Sequence, residues 1–357
     1  MTGIQLEQYL SDGVSAIIAD ALKAALSNPR ESGFLLSFSK CAADAAKRRH
    51  AFEMAGEHIP PFLIMSITDD CNLHCPGCYA RSNAARSRAG ELPADEWSRL
   101  FDEAAGLGVS LILLAGGEPL MRRDVLEKAA GQKRILFPVF TNGTLWNAEY
   151  MRLFNKNRNL MPVISLEGGL TLTDKRRGSG VYGKLMETLR AFERQKLLFG
   201  VSVTVTNENL QLVTGEAFQA GLRDAGCSIV FFVEYVPVES DELALNDDGR
   251  AKLARRLQTL RARNKGQIMI SFPGDESAGG CLAAGRGFFH INAIGGAEPC
   301  PFSPYSDTNI RGISLRDALR SPLFARLRES GLLNEKHIGG CALFEKKETV
   351  ERLAKRR

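Results

Sequence analysis

The sequence predicts an α/β protein: a partial (β/α)6 barrel, preceded by a helical extension and followed by a small α+β domain. Three observations carry this. Six short, nearly all-apolar runs alternate with amphipathic stretches between residues 62 and 263, the pattern of parallel strands covered by helices. Residues 1–58 show only helical periodicity. Residues 265–357 change to Gly-rich loops and short strands. A doubly wound sheet satisfies the same alternation, but six near-equal units favour the barrel.

In the extension, Val14, Ile17, Ile18, Leu22, Ala25 and Leu26 share one helical face. Ser11 or Asp12 is placed to cap that helix, Asn28-Pro29 ends it, and a second helical stretch runs to about residue 56. The stripe reads as a packed extension, with a docking face for a membrane surface or a partner protein as the sharper alternative. Strands follow at 62–68, 109–114, 135–140, 161–166, 200–206 and 228–236, with helices at 94–105, 121–130, 145–155, 182–197, 214–225 and 248–263. Trp97, Leu100, Phe101 and Ala104 form the inward face of the first of these helices. Downstream come a strand at 267–271, a Gly-rich patch at 273–287, a hairpin at 288–301 and helical segments near 315–330. The expected units are therefore 1–58, 59–264 and 265–357.

Composition excludes several classes. Of 357 residues, 44% are hydrophobic and 24% charged, an ordinary globular balance that argues against a disordered chain. The net charge of +5 is small, and the basic runs 47–50 and 355–357 are short and lack interleaved aromatics, so no nucleic-acid partner is expected. No apolar run reaches the roughly 18–20 residues that span a bilayer. The N-terminus lacks a basic segment followed by an apolar core, which points to a cytoplasmic protein.

Eight cysteines stand at 41, 71, 75, 78, 227, 281, 300 and 341. Without an export signal they suit metal or redox use better than disulfides. Cys71, Cys75 and Cys78 lie in the loop after the first strand. Thiolates are soft ligands for iron–sulfur clusters or zinc. Three of them leave a four-coordinate metal, or a [4Fe–4S] cluster, one ligand short, which points to an open coordination site or a ligand from elsewhere. His74 is a weak fourth ligand, since no other metal-type residue is spaced with it.

Cys71-x3-Cys75-x2-Cys78 resembles the signature of the radical S-adenosylmethionine (SAM) enzymes. Four further elements extend the resemblance in order. Gly116-Gly117-Glu118-Pro119 follows the second strand as a GGEP motif, and Thr141-Asn142-Gly143 follows the third as a TNG element. Ser165-Leu166-Glu167-Gly168 ends the fourth and is similar to the SLDG element of the peptide-modifying subgroup. Asp174 with Arg177-Gly178 matches that subgroup's D-x-x-R-G. Every motif lies at the C-terminal end of an expected strand, the face that builds active sites in α/β barrels. The resemblance implies that the three cysteines hold a [4Fe–4S] cluster whose fourth iron binds SAM. Reduction then cleaves SAM, and a 5′-deoxyadenosyl radical abstracts hydrogen from the substrate. It places Gly116 and Gly117 at the methionine ammonium with Glu118 to position it, and Asn142, Ser165 and Glu167 around SAM. Arg177 is set to pair with the SAM carboxylate, and Thr204 and Thr206 to add ribose or carboxylate contacts. The family's aromatic before the third cysteine is Gly77 here, so the adenine contact is expected from backbone or from Tyr79.

Cys281, Cys300 and Cys341 form a second constellation, and Gly295-x4-Cys300 resembles the GxxxxC element of SPASM domains or their shortened form, twitch. The resemblance implies an auxiliary [4Fe–4S] cluster on three thiolates, its fourth iron either open or ligated by His337. Cys41 and Cys227 are expected to be packing residues. A flavodoxin or ferredoxin is the implied reductant, and a peptide or a small molecule the implied substrate. The alternatives are an enzyme of small-molecule cofactor or lipid biosynthesis, or a non-enzymatic iron–sulfur electron carrier.

Overall fold

The computed structural model describes residues 3–24, 28–82, 90–264, 266–272, 280–334 and 341–355. The six apolar runs become six parallel strands: β1 (Phe62–Ser66), β2 (Leu111–Ala115), β3 (Phe137–Thr141), β4 (Leu160–Ser165), β5 (Gly200–Val205) and β6 (Ile229–Glu234). They pair in sequence order, and helices return the chain after each one. The expected strand near 267–271 is present. It is β7 (Ile268–Phe272) and pairs parallel with β6 along its length. The hairpin is β8 (His290–Ile291) and β9 (Gly296–Glu298), with β10 (Thr308–Asn309) antiparallel to β9. Because β8 pairs parallel with β1, one open ten-stranded sheet runs β10-β9-β8-β1-β2-β3-β4-β5-β6-β7. The barrel is therefore partial, with its gap between β7 and β10.

Alternate positions along the strands belong to two different cores, because successive side chains point to opposite faces. Val139, Ile164, Val203, Val230 and Phe232 pack with the outer helices. Leu136, Met161, Val163, Ile229 and Phe231 face the other way and pack against Val14, Ile18, Leu35 and Phe38 of the N-terminal helices. Those helices, Gly3–Ala24 and Pro29–Met54, form a hairpin under the concave face of the sheet. The hairpin is tied to loops that enter the strands. Glu31 pairs with Arg158 and accepts Leu198 N–H at 3.0 Å, and the buried Arg49 guanidinium donates to Gly108 O and to Ser11 Oγ. Val14, Ile18 and Leu22 of the stripe that suggested a docking face are thus spent on the barrel floor, opposite the motif loops, while its Ala25 and Leu26 lie outside the described residues.

Three further departures from expectation have local causes. Ser11 and Asp12 lie inside the first helix, not at its cap, because Leu6 and Leu10 extend the buried stripe toward the N-terminus. A short helix, Leu170–Arg177, precedes the long helix Val181–Arg194, with Gly178 at φ +111° separating them. Helices Ala342–Glu345 and Lys347–Lys355 end the described chain. His337, Gly339, Gly340 and residues 273–279 of the Gly-rich patch lie outside the described residues. Among the described residues no helix is long and apolar enough to cross a membrane.

Candidate active site

The motif loops meet at one rim because β1 to β4 are neighbours and in register there: Ser66 pairs with Ala115, and Thr141 with Ile164. The loop after β2 lies backbone against backbone on the segment leading from β1 into Cys71. Gly117 N–H donates to Thr68 O at 2.8 Å and Glu118 N–H to Asp70 O at 2.7 Å. A Cβ at Gly116 would stand 2.3 Å from Thr68 O, and one at Gly117 2.0 Å from Asp70 O. Both glycines are therefore required by loop-to-loop contact before any ligand arrives.

Glu118 is fully buried and clasps the next loop. One carboxylate oxygen accepts Leu120 N–H at 3.0 Å and the Thr141 hydroxyl at 2.6 Å, and the other accepts Asn142 N–H at 2.7 Å. Burial pushes this carboxyl up, and the Thr141, Asn142 and Leu120 donors only partly offset that. Asn142, so held, donates to Asn72 Oδ1 at 2.8 Å and reaches Cys71 Sγ at 3.8 Å, where Leu73 N–H also points at 3.5 Å. The TNG element thereby supplies a donor to the Cys71 sulfur, and donors of this kind tune thiolates that bind metal.

Beyond β4, Glu167 is buried between two guanidiniums. Its Oε1 accepts Arg176 Nη1 at 2.8 Å, Arg177 Nε at 3.0 Å and Arg177 Nη2 at 2.5 Å. Burial would raise this carboxyl, yet Arg176 and Arg177 together hold it below the ordinary value. Glu167 Oε2 is buried and has no hydrogen-bond partner among the described residues. Arg176 also donates to Pro76 O at 3.4 Å, which brings the cationic pair beside the cysteine loop. There burial raises the Cys75 thiol and Arg177 opposes it. Ser165, half-buried, ends β4, and Thr204 lies half-buried near the end of β5. Thr206 is buried in a turn with Asn209, whose amide ties Glu167 O at 3.1 Å to Thr204 O at 2.8 Å.

The aromatic residues divide the space differently from expectation. Tyr79 is turned toward the C-terminal region. Its ring meets Phe302 edge-on at 5.2 Å, and its hydroxyl bonds Ser66. Ser66 in turn bonds the buried His290 at 2.8 Å, which is held by Glu298 at 2.8 Å. The ring lying on Gly77 belongs to Tyr235, just past β6. A Cβ at Gly77 would fall 2.6 Å from it. Glu239 from the same loop accepts Gly77 N–H at 2.8 Å. Asn209 and Glu239 carried no sequence signal, since each lies outside a motif and reaches the site only through the fold, and the sequence pointed to Tyr235, with Glu234, only as a residue at the rim end of the sixth strand that could face substrate. Arg176 had one pointer, its place beside Arg177.

The donor set fits an iron–sulfur cluster. At Cys71 burial raises the thiol most, and Glu118 and the neighbouring Cys78 and Cys75 add to it, so the three sulfurs lie within electrostatic reach of one another. No three His, Cys, Asp or Glu side chains among the described residues converge on a single-ion site, whereas a multi-iron cluster needs thiols that surround it. The orphaned Glu167 oxygen leaves an acceptor position open at this rim. Residues 65–213, which hold all of these motifs, match the Radical SAM superfamily. That stretch of the chain is a radical SAM domain. It is similar to the AdoMet-dependent heme synthase of Methanosarcina barkeri, at 28% identity over 328 residues, 82% of this chain and 91% of that protein. It is likewise similar to the PqqA peptide cyclase of Rhodopseudomonas palustris, at 28% identity over 305 residues and 80% of each chain. In fold it matches the crystal structure of Streptococcus suis SuiB bound to precursor peptide SuiA, with a TM-score of 0.66 and 17% identity over 85% of this chain and 74% of that one.

The chain carries a second cysteine group beyond the radical SAM domain. Cys281, Cys300 and Cys341 are all buried. Cys300 contacts Cys341 and lies within electrostatic reach of Cys281. Burial raises its thiol well above the ordinary range, and Cys341 adds to that. A Cβ at Gly280 would fall 2.3 Å from Leu333 O, and Cys281 N–H donates to that same carbonyl at 2.7 Å, so the loop before Cys281 is pressed onto the turn that leads toward Cys341. By contrast, Cys227 bonds Ile229 O at 3.2 Å in the core, and Cys41 lies half-buried in the second N-terminal helix.

Proposed function

We propose that Cys71, Cys75 and Cys78 hold a [4Fe–4S] cluster that cleaves SAM, that Cys281, Cys300 and Cys341 hold an auxiliary [4Fe–4S] cluster in a twitch-like C-terminal unit, and that the substrate is a peptide. A reduced cluster held by Cys71, Cys75 and Cys78 would supply the one-electron chemistry that turns bound SAM into a 5′-deoxyadenosyl radical for hydrogen abstraction from the substrate. The chain's own residues do the positioning. Glu118 locks the second and third loops around Cys71, and Asn142 donates toward its sulfur. Arg177, neutralised on one side by Glu167, leaves net positive charge beside Cys75 for a carboxylate. Glu167 Oε2 accepts from a ribose hydroxyl. Tyr235 lies where an aromatic at position 77 would reach, while Tyr79 joins the two cysteine sites. The Ser66–His290–Glu298 chain holds Tyr79 in that bridging position.

The peptide reading rests on one observation. The loop folding over the cysteine loop from β6 is acidic, with Glu239 on Gly77 and Asp241 and Glu242 beside it. Such a rim repels a substrate bearing several carboxylates and accepts an amide-rich or basic chain. A tetrapyrrole is the second reading, favoured by the near end-to-end likeness to a heme synthase. Anaerobically reconstituted enzyme, reduced with dithionite, should release 5′-deoxyadenosine from SAM, and Cys71→Ala/Cys75→Ala/Cys78→Ala should abolish release. Supplying a precursor peptide encoded beside the gene, or an iron coproporphyrin, then decides the substrate by which one changes mass. Release undiminished in the triple variant would sink the cluster assignment.

A further inference from the structure

A buried hydroxyl stands beside the C-terminal cysteines with nothing to bond. Ser303 is 1% exposed, and its Oγ has no hydrogen-bond partner among the described residues. The chain turns sharply from Cys300 to Ser303: Ser303 N–H donates to Cys300 O at 2.9 Å, and the two residues form an isolated antiparallel bridge. Residues paired in this way carry their side chains on the same face, with Cβ atoms about 4.5–5.5 Å apart. The Ser303 hydroxyl therefore emerges next to the Cys300 thiol. Phe302 N–H, inside the same turn, already donates to the Cys300 sulfur, so the backbone is curled around that atom. The Cys341 side chain also contacts the Cys300 sulfur.

An unsatisfied buried hydroxyl costs about 1–3 kcal/mol. A turn that keeps one beside three buried thiols makes sense when an acceptor fills the space between them. Cluster sulfide and metal-bound thiolate are such acceptors. Among the described residues no carboxylate or imidazole bonds Ser303 to take its proton, so it is suited to donate and not to ligate as an alkoxide. We propose that Ser303 donates a hydrogen bond to sulfur of the cluster held by Cys281, Cys300 and Cys341, and so raises that cluster's reduction potential. This rests on the auxiliary-cluster reading above. Hydrogen bonds to the sulfurs are one of the levers that set such potentials, because they stabilise the extra negative charge of the reduced state.

The test uses full-length enzyme, anaerobically reconstituted, in wild-type, Ser303→Ala and Ser303→Thr forms. Redox titration followed by electron paramagnetic resonance reads the potential of the second cluster, alongside iron and sulfide counts. Ser303→Ala should lower that potential with iron unchanged, and Ser303→Thr, which keeps the donor, should stay nearer wild type. In the metal-free chain Ser303→Ala should unfold at the same temperature as wild type or higher, because no bond is lost there. An unchanged potential at full iron content overturns the proposal. Loss of one iron, or a three-iron signal, overturns it in favour of ligation. A lower unfolding temperature of the metal-free variant assigns the hydroxyl a structural role instead. A wild-type count of about four irons would mean that the second cluster itself is missing, a failure of the underlying reading that the other outcomes do not mimic.

Discussion

At Gly117 the side chain is a single hydrogen because the neighbouring backbone leaves no more room. A methyl there would meet Asp70 O at 2.0 Å and Asp70 C at 2.4 Å, and backbone atoms cannot swing aside as a flexible side chain would. Gly117→Ala should therefore destabilise the fold by roughly 1–3 kcal/mol, read by urea unfolding, and should lower iron uptake at the Cys71 loop that Asp70 adjoins. Wild-type stability and iron content would refute this packing argument. Glu167 makes a different prediction. Its carboxylate is held below the ordinary value by Arg176 and Arg177 against the burial that would raise it. Its contribution to stability is thus present above the unfolded value and lost as pH falls through the folded one. Removing one partner of a buried ion pair costs about 3–5 kcal/mol, so Glu167→Gln should be strongly destabilising at neutral pH. The gap to wild type should narrow as pH drops below about 4. A gap independent of pH, measured by denaturant unfolding at several pH values, would remove the charge from the explanation.

At the scale of elements, the N-terminal helical hairpin does the work of a floor. Phe38 is 1% exposed and packs in the same core as Met161, Val163 and Phe231 of the sheet's concave face. Phe38→Ala should cost about 3–5 kcal/mol in global stability. SAM cleavage per folded molecule should stay near wild type, since the motif loops lie at the other end of the strands. A loss of cleavage that exceeds the loss of folded protein would show that the floor also shapes the site. Helix Leu170–Arg177 illustrates the reverse relation, a short element that exists to present charge. Its last turn carries Arg176 and Arg177 to Glu167, and its mean character is too polar to announce a helix by apolar periodicity.

Across the whole molecule, Tyr79 and Phe302 join two cysteine groups that are remote in sequence. Tyr79 follows Cys78 directly, and Phe302 belongs to the Cys300 turn. The sheet makes this possible, because β8 pairs with β1 and so sets the C-terminal hairpin beside the first motif loop. Cys281→Ala/Cys300→Ala/Cys341→Ala should reduce iron from about eight to about four per chain. It should keep slow 5′-deoxyadenosine release without substrate and lose product formation. Full product formation at half the iron would separate the C-terminal unit from the reaction.

The motifs were readable in the residues alone, because each element of the expected SAM site is a short contiguous string whose spacing survives without a fold: Cys71-x3-Cys75-x2-Cys78, Gly116-Gly117-Glu118, Ser165-Leu166-Glu167. The six βα units were readable for a similar reason, since apolar runs and helical stripes are local periodicities. What lay beyond the sequence depends on contacts between distant segments. Periodicity finds a strand at 267–271 but cannot say that it extends the barrel beside β6, and it finds an apolar stripe in the first helix but cannot say that the sheet's inner face covers Val14, Ile18 and Leu22. The same holds for the ring on Gly77. That glycine read as a missing aromatic, and only the path of the chain past β6 brings Tyr235 onto it. Strand order and side-chain direction are set by which buried surfaces close together, a property of the assembled core and not of any one stretch of chain.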